Sequence, residues 1–424
     1  MDINKLLKGK IGCPCGMDHT CAIENVIIEN GAIVHLPQLI EKYNNILLVA
    51  DQNTYQVGGE KTAALIGEKL ENTLVYQSGD HFLVPDEDAI EKMDKMVTDK
   101  TDLIIGVGSG VINDTCKYVS FTRKLPYFIV ATAPSMDGYA SVGAAMIINS
   151  MKITYDAHVP TAIIGDVDML KTAPIDMIKS GYGDIIGKYS ALNDWKLSHV
   201  INGEYICEYV YDLTYEMIQK TLDISDGILR REDESIKTLM EALVVVGIAM
   251  SFVGNSRPAS GSEHHLSHFF EIVGLLNHEP YFNHGIDVVY STVMTQRLRE
   301  EILKLDSFEQ AMKFDATEWE AHIRKIYTGA AQGIIELQNK LGWYQKDYIS
   351  VYREKFSEIK EVLAEVPSSA EIEKMLAKVE LYMPEFLKEY GPEKIEEATF
   401  IAKDLKNRYT VLWLYYTLFY KGSL

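Results

Sequence analysis

The sequence predicts a two-part protein: an α/β part with a parallel sheet in residues 1–170, then an all-α part in residues 171–424. Three observations carry this. Strand-length apolar runs alternate with helix-like stretches over the first part, the signature of a parallel sheet with helices on both faces. Beyond it, apolar residues recur near a 3.6-residue spacing, the period of a helix. The chain has 424 residues, 47% of them hydrophobic, enough for two or three domains with large cores.

NNILLVAD (44–51) is an apolar run ending in an acid. A Gly-Gly break and the helix-like EKTAALIGEKL follow it, then the strand NTLVYQ (72–77). DEDAIEKMDKMV (86–97) has the acidic start that suits a helix N-terminus. TDLIIGVGSG (101–110) is a strand running into glycines, and NDTCKYVSFTRK (113–124) continues as a helix. PYFIVATAPS (126–135) is a strand ending in a turn. AAMIINSMKITYDAH (144–158) reads as a hairpin, with the strand TAIIGD (161–166) after it. The change of character falls at IIGDVDMLKTAP, residues 163–174. No repeat and no low-complexity segment is evident.

Charge narrows the partners. The chain carries 41 basic and 61 acidic residues, a net −20. That argues against nucleic acid, which needs a basic footprint, and against an anionic membrane surface. No apolar run approaches the ~18–20 residues of a transmembrane helix, and MDINKLLKGKIG lacks a signal-peptide core. Five cysteines without a disulfide-like framework point to a reducing cytoplasm. The aromatic C-terminal YTVLWLYYTLFY suits either a subunit contact or a buried helix.

In GVGSGVIND (106–114), Gly106, Gly108 and Gly110 lie between a strand and a helix. Glycines there let a backbone approach a phosphate at the helix N-terminus. The run is not GxGxxG, and a tight turn without ligand fits as well. Asp114 could order the loop, and Lys117 reads as a solvated lysine. Asp51 could accept hydrogen bonds from a ribose, or simply cap the following turn. ATAPSMDGYAS (131–141) sets Thr132, Ser135, Asp137 and Ser141 on a turn after a strand. Ligands bind in such places in α/β folds, but hydroxyl-rich turns also satisfy their own backbone.

Five of the eleven histidines fall between 264 and 284. On a helix, His264 and His268 share one face, one turn apart, whereas His265 points about 100° away. His284 precedes Gly285, and His278 reads as a loop residue. GYGDIIGK places Asp184 among glycines, at an expected helix start. One Asp and two His make a three-ligand metal site with open positions; the bland reading of Asp184 is a helix cap. In RPASGSEH, Arg257 and Ser260–Ser262 could cap the histidine helix or help hold a phosphate. Cys13, Cys15 and Cys21 surround His19 in GCPCGMDHTC. They could hold a structural zinc, but the spacing fits no common zinc signature, and a plain N-terminal loop or hairpin is the other reading.

GVGSGVINDTCK, ATAPSMDGYAS, GYGDIIGK, RPASGSEHHLSH and NHG, in that order, resemble the sn-glycerol-1-phosphate dehydrogenase family. That family lies within the iron-containing alcohol dehydrogenase and dehydroquinate synthase superfamily; the sequence is most similar to its bacterial AraM-type branch. The resemblance implies an N-terminal Rossmann-like domain, a C-terminal helical domain and an active site in the cleft between them. It implies nicotinamide-cofactor contacts from Asp51, Gly108, Gly110, Val111, Ile112, Asn113, Asp114, Thr132, Ala133, Pro134, Ser135 and Ser141. Asp184, His264 and His284 would ligate one divalent metal, with His278 as a fallback ligand. Asp137, Asp184 and His268 would contact substrate, the last two catalytically. The Cys-containing N-terminal segment is not part of the shared pattern, and NHEPYFN (277–283) lengthens the approach to His284.

The activity implied is reversible reduction of dihydroxyacetone phosphate to sn-glycerol 1-phosphate by NADH or NADPH, with Zn²⁺, Ni²⁺ or Fe²⁺. Asp51 would repel a 2′-phosphate and leans the preference toward NAD. The enzyme would be a cytoplasmic homo-oligomer, with a dimer favoured. Competing expectations are a glycerol or polyol dehydrogenase, a dehydroquinate-synthase-like lyase without net NADH consumption, and a catalytically silent nucleotide-binding protein.

Overall fold

The computed structural model describes residues 2–77, 83–148, 151–309 and 314–422. Cα packing divides the chain into two compact units. One contains the stretches up to Ile148, Lys152–Ile185 and Glu216–Ser256; the other contains Ile186–Tyr215 and Arg257–Leu424.

The first unit is built on a six-stranded sheet with every pairing parallel. Its strands are β1 (Asn25–Glu29), β2 (Ile46–Asp51), β3 (Leu70–Tyr76), β4 (Leu103–Gly108), β5 (Tyr127–Ala131) and β8 (Ala162–Asp166). They lie in the order β1-β8-β5-β4-β2-β3. β4, β5 and β8 are buried along their whole length, so they read in sequence as continuous apolar runs. β1 was not expected from the sequence: it is short, and its partner β8 lies far along the chain. β6 (Gly143–Ile148) and β7 (Met151–Asp156) form the expected hairpin as a separate two-stranded sheet; its turn lies outside the described residues. The sheet core is made by Ile46, Leu48, Leu103, Ile105, Val107, Phe128, Val130 and Ile164.

The helices that matter below are α1 (Gly110–Arg123), α2 (Ile175–Asn202), α3 (Glu208–Asp223), α4 (Asp233–Val253), α5 (Ser262–Asn277), α6 (His284–Leu303), α7 (Tyr348–Leu363) and α8 (Val411–Phe419). α4 corrects one expectation. It is 21 residues long and holds an 18-residue stretch of mean hydropathy 1.9, long and apolar enough to cross a membrane. Yet 78% of that stretch is buried inside the protein: α4 packs in the first unit, with Met240 against Gly165. A helix apolar on all faces is what a fully covered core helix requires.

The second unit has its own core, formed by Leu197, Val200, Ile302, Tyr352, Ile359, Leu363, Tyr409, Trp413 and Leu414. The aromatic C-terminal run is therefore a buried helix: Val411, Leu412, Trp413, Leu414 and Leu418 of α8 all face inward.

Candidate active site

Two strand neighbours, β3 and β4, flank β2 on opposite sides. The sheet order thus reverses between β2 and β4, and the carboxyl ends of strands at such a switch point are where α/β sheets bind ligands. The register pairs Ala50 with Val107 and Gly108 with Ala131. Asp51, the 108–114 segment and the 132–135 segment therefore emerge side by side at one end of the sheet.

The glycines there have different tasks. A Cβ on Gly106 would sit 2.9 Å from Cys116 Sγ, and one on Gly108 would sit 2.6 Å from Ile112. Both are small so that α1 can lie on its own strand. A Cβ on Gly110 would meet only Met136, at 3.7 Å. Gly110 has no internal reason to be small, and it opens the start of α1 to an approaching group. No side chain caps α1, which suits an anion at its N-terminus. Asp51 takes the capping reading: Oδ1 accepts from the amides of Asn53 (2.8 Å) and Thr54 (2.9 Å). Its other carboxylate oxygen is not part of that cap.

Lys117 corrects the expectation of a solvated lysine. It is fully buried, and its ammonium donates to the carbonyls of Gly138 (2.8 Å) and Gly143 (2.9 Å) and to Ser141 Oγ (3.1 Å). It fastens the 138–143 loop to α1, with Asp114 3.7 Å away. Burial depresses its pKa, with the carboxylates of Asp114 and Asp137 opposing. Asn113 reaches Gly138 O as well (3.4 Å), and Asp114 Oδ2 accepts from the Ala145 amide (3.3 Å). Ser141 is held within this network.

The turn after β5 is fixed from below. Thr132 N donates to Gly108 O (3.1 Å), Tyr139 OH to Ala133 O (2.7 Å) and Ser180 Oγ to Ser135 O (3.1 Å). A Cβ on Gly181 would lie 1.9 Å from Pro134 O, so α2 touches this turn backbone to backbone. That also corrects the reading of Asp184. It sits in the interior of the 28-residue α2, not at a helix start. The glycines of GYGDIIGK are there for close approach, since a Cβ on Gly187 would meet Val288 at 2.5 Å. Asp184 is fully buried, and its Oδ2 accepts from the amide of the buried Asp137 at 3.0 Å.

In the second unit, three imidazoles converge. Ring centroids are 6.0 Å apart for His264–His268, 5.1 Å for His264–His284 and 5.5 Å for His268–His284. The i,i+4 pair lies on one face of α5, and His284 opens α6. His264 Nδ1 lies 2.7 Å from Glu263 Oε1, so a carboxylate orients this ring, leaving Nε2 as its outward atom. His268, Glu271 and His284 each also offer a ligand atom, all within 4.8 Å of one another. His278 does not join this group: it is exposed and ends α5 in the left-handed conformation.

Burial pushes the His264 pKa well down, helped by the charge of Lys188, His284, Lys406 and His268. Its partner Glu263 is pushed up to about 7, by burial and then by Asp194. Lys188 is buried and sits one turn after Asp184 on α2, on the same helix face. Sequence reading missed Lys188 and Lys406, because their approach to the histidines is made by the fold. Arg257 is committed elsewhere: it grips Glu204 through two bonds (2.9 and 2.7 Å) and donates to Tyr409 O (2.7 Å). It braces residues 204 and 409 of the second unit.

A sequence model of the iron-containing alcohol dehydrogenase family matches residues 27–174. The chain is 34% identical to a glycerol-1-phosphate dehydrogenase [NAD(P)+] of Halalkalibacterium halodurans, over 70% of this chain and 76% of that one. It is 30% identical to one of Geobacillus stearothermophilus over 95% and 94% of the two chains. Among solved structures, a sulfoacetaldehyde reductase from Bifidobacterium kashiwanohense in complex with NAD+ superposes with a TM-score of 0.61. It shares 12% identity and covers 95% of this chain and 99% of that one, a likeness of fold.

Proposed function

Because the chain belongs to the glycerol-1-phosphate dehydrogenase family of iron-containing alcohol dehydrogenase-like enzymes, we propose that it reversibly reduces dihydroxyacetone phosphate to sn-glycerol 1-phosphate with NADH or NADPH. One observation carries the reading for this chain: three clustered imidazoles have the buried Lys188 and the half-buried Lys406 as neighbouring cations. Imidazoles suit a divalent metal, and lysines suit a phosphate in a protein of net charge −20.

Residues 1–170 would be the cofactor-binding domain and residues 171–424 the metal- and substrate-binding domain. The uncapped start of α1 would take the cofactor's pyrophosphate on Gly110, Val111 and Ile112. Gly108, Asn113, Asp114 and the Thr132–Ala133–Pro134–Ser135 turn would shape its bed, and Ser141 would hold that bed from behind. The uncommitted oxygen of Asp51 would accept from the adenosine ribose, which favours NAD over NADP.

Asp184, His264 and His284 would hold one divalent metal, Zn²⁺, Ni²⁺ or Fe²⁺. Their donors fit such an ion: one carboxylate and two imidazoles, one already oriented by Glu263. When bound, the metal supplies Lewis acidity toward the ketone oxygen, and the nicotinamide supplies the hydride. His268, half-buried at the edge of the cluster, would orient the substrate and carry the proton of the new hydroxyl. Asp137 would hydrogen-bond a substrate hydroxyl. The enzyme would work as a cytoplasmic homo-oligomer, a dimer by preference.

The test is NADH oxidation by metal-replete protein with dihydroxyacetone phosphate against unphosphorylated dihydroxyacetone. Turnover confined to the phosphate supports the reading. Equal turnover on both makes the protein a polyol dehydrogenase, and no NADH consumption with either overturns the reading.

A further inference from the structure

The N-terminal segment takes no part in the proposed catalysis, yet it is elaborately held. Lys10 and His19 pair as an antiparallel bridge, with N–H···O bonds of 2.8 and 2.9 Å in the two directions. Gly12 N donates to Asp18 Oδ1 (2.7 Å), and Gly16 N closes a turn onto Cys13 O (2.9 Å). Gly9, Gly12 and Gly16 all adopt positive φ, which only glycine adopts at no cost. The loop is thus bent back on itself, and the bend gathers its chemically capable side chains. Cys13, Cys15 and His19 each offer a ligand atom, all within 4.8 Å of one another. Cys15 Sγ lies 3.4 Å from His19 Nε2. His19 is fully buried and Cys13 nearly so, although surrounding residues of the segment are exposed.

The second nitrogen of His19 defines its state. Nδ1 lies 2.9 Å from the carbonyl oxygen of Phe252. A carbonyl can only accept, so Nδ1 carries a proton, which leaves Nε2, on the side of the thiols, as the nitrogen able to ligate. A backbone carbonyl fixing the tautomer from behind is the usual outer partner of a metal-bound histidine. The Phe252 ring also packs on the imidazole, with centroids 5.5 Å apart.

We propose that Cys13, Cys15 and His19 bind a zinc ion, in a structural site separate from the proposed catalytic metal. The five cysteines form no disulfide. Cys116 is packed against the Gly106 backbone of β4, and the thiol of Cys21 is turned to the backbone of Ile23. Two thiolates and one imidazole are the soft donors that structural zinc takes. The thiols release their protons as the ion binds. The ion ties a segment with few apolar side chains of its own to the body of the protein.

The test is Co²⁺ substitution of the full-length protein followed by absorption spectroscopy. Only a thiolate-ligated ion gives intense sulfur-to-cobalt charge transfer in the near ultraviolet, and the Asp184/His264/His284 set contains no sulfur. The expected result is that band in the wild type and in H264A, with loss or marked weakening in C13S, C15S and H19A. Zinc content should fall by one equivalent per chain in C13S and C15S. A cobalt-loaded wild type without the band overturns the proposal, and that result needs no variant to fold. Failure to turn over dihydroxyacetone phosphate would overturn the catalytic reading and leave this spectrum unchanged.

Discussion

The backbone amide of Asp137 donates to a carboxylate oxygen of Asp184 over 3.0 Å, with both residues buried. This bond ties the turn after β5 to the interior of α2. It also orients the carboxylate proposed as a metal ligand. Asp184→Asn can keep the bond, because an amide oxygen accepts as well. It loses the charge a cation needs. We expect D184N to melt near the wild-type temperature while metal affinity falls by more than about tenfold, since even outer-partner changes cost that much. D184A should also lose about 1–3 kcal/mol, the cost of leaving the Asp137 amide without its acceptor. Thermal melts with metal titration by calorimetry separate the two. Unchanged metal affinity in D184N would remove Asp184 from the ligand set.

Gly181 is the tightest point of that junction. A methyl group there would lie 1.9 Å from the carbonyl oxygen of Pro134, and no rotamer of a flexible neighbour can relieve a clash with backbone. Gly181→Ala should therefore destabilise by about 1–3 kcal/mol, the scale of overpacking. Because Pro134 belongs to the turn proposed to bed the cofactor, KM for NADH should rise more than kcat falls. Urea unfolding and steady-state kinetics read both effects. A wild-type KM with normal stability would show that α2 and the turn separate freely.

Lys117 makes a pH prediction. Burial holds its folded pKa below the ordinary 10.5. Between the lowered value and 10.5 the unfolded chain binds the proton and the folded one does not. Stability attributable to this lysine therefore rises with pH through that window and is lost as pH falls through the folded value. Lys117→Met removes that dependence and strands the carbonyls of Gly138 and Gly143, at about 1–3 kcal/mol for each group left unsatisfied. Urea midpoints of wild type and variant across the alkaline range give the difference. Parallel pH curves would mean the lysine does not titrate in that window.

What could be read from the sequence follows the range of the interactions. β4 and β5 are recognisable because a strand buried on both faces must be apolar throughout. The His264–His268 pair is recognisable because i,i+4 proximity is a property of any helix. Asp184 was misplaced at a helix start because glycine ordinarily breaks helices; its tolerance at 181 and 187 depends on Pro134 and Val288 occupying the space of a side chain. Lys117 was misread for the same reason, since its partners lie 21 to 26 residues away in a loop. The Cys13–Cys15–His19 cluster is legible only as one of two readings, a zinc site or a plain loop, because its convergence rests on glycines at positive φ and on the distant Phe252 carbonyl.

His264 and His268 stand on the same helix face, yet the proposal gives them different work. His264 is nearly fully buried and braced by Glu263 at 2.7 Å, as a ligand held rigidly would be. His268 is half-buried, and its ligand atom lies within 4.8 Å of those of Glu271 and His284, an alternative ligand set. Metal content and kinetics divide these arrangements. If His264 is the ligand, H264A loses both metal and activity together. H268A then keeps its metal and loses about 10²–10⁴-fold in kcat/KM, the range of a missing acid–base group. The reverse pattern, metal lost in H268A and retained in H264A, would move the ion to His268, Glu271 and His284 and leave His264 as the residue that faces substrate.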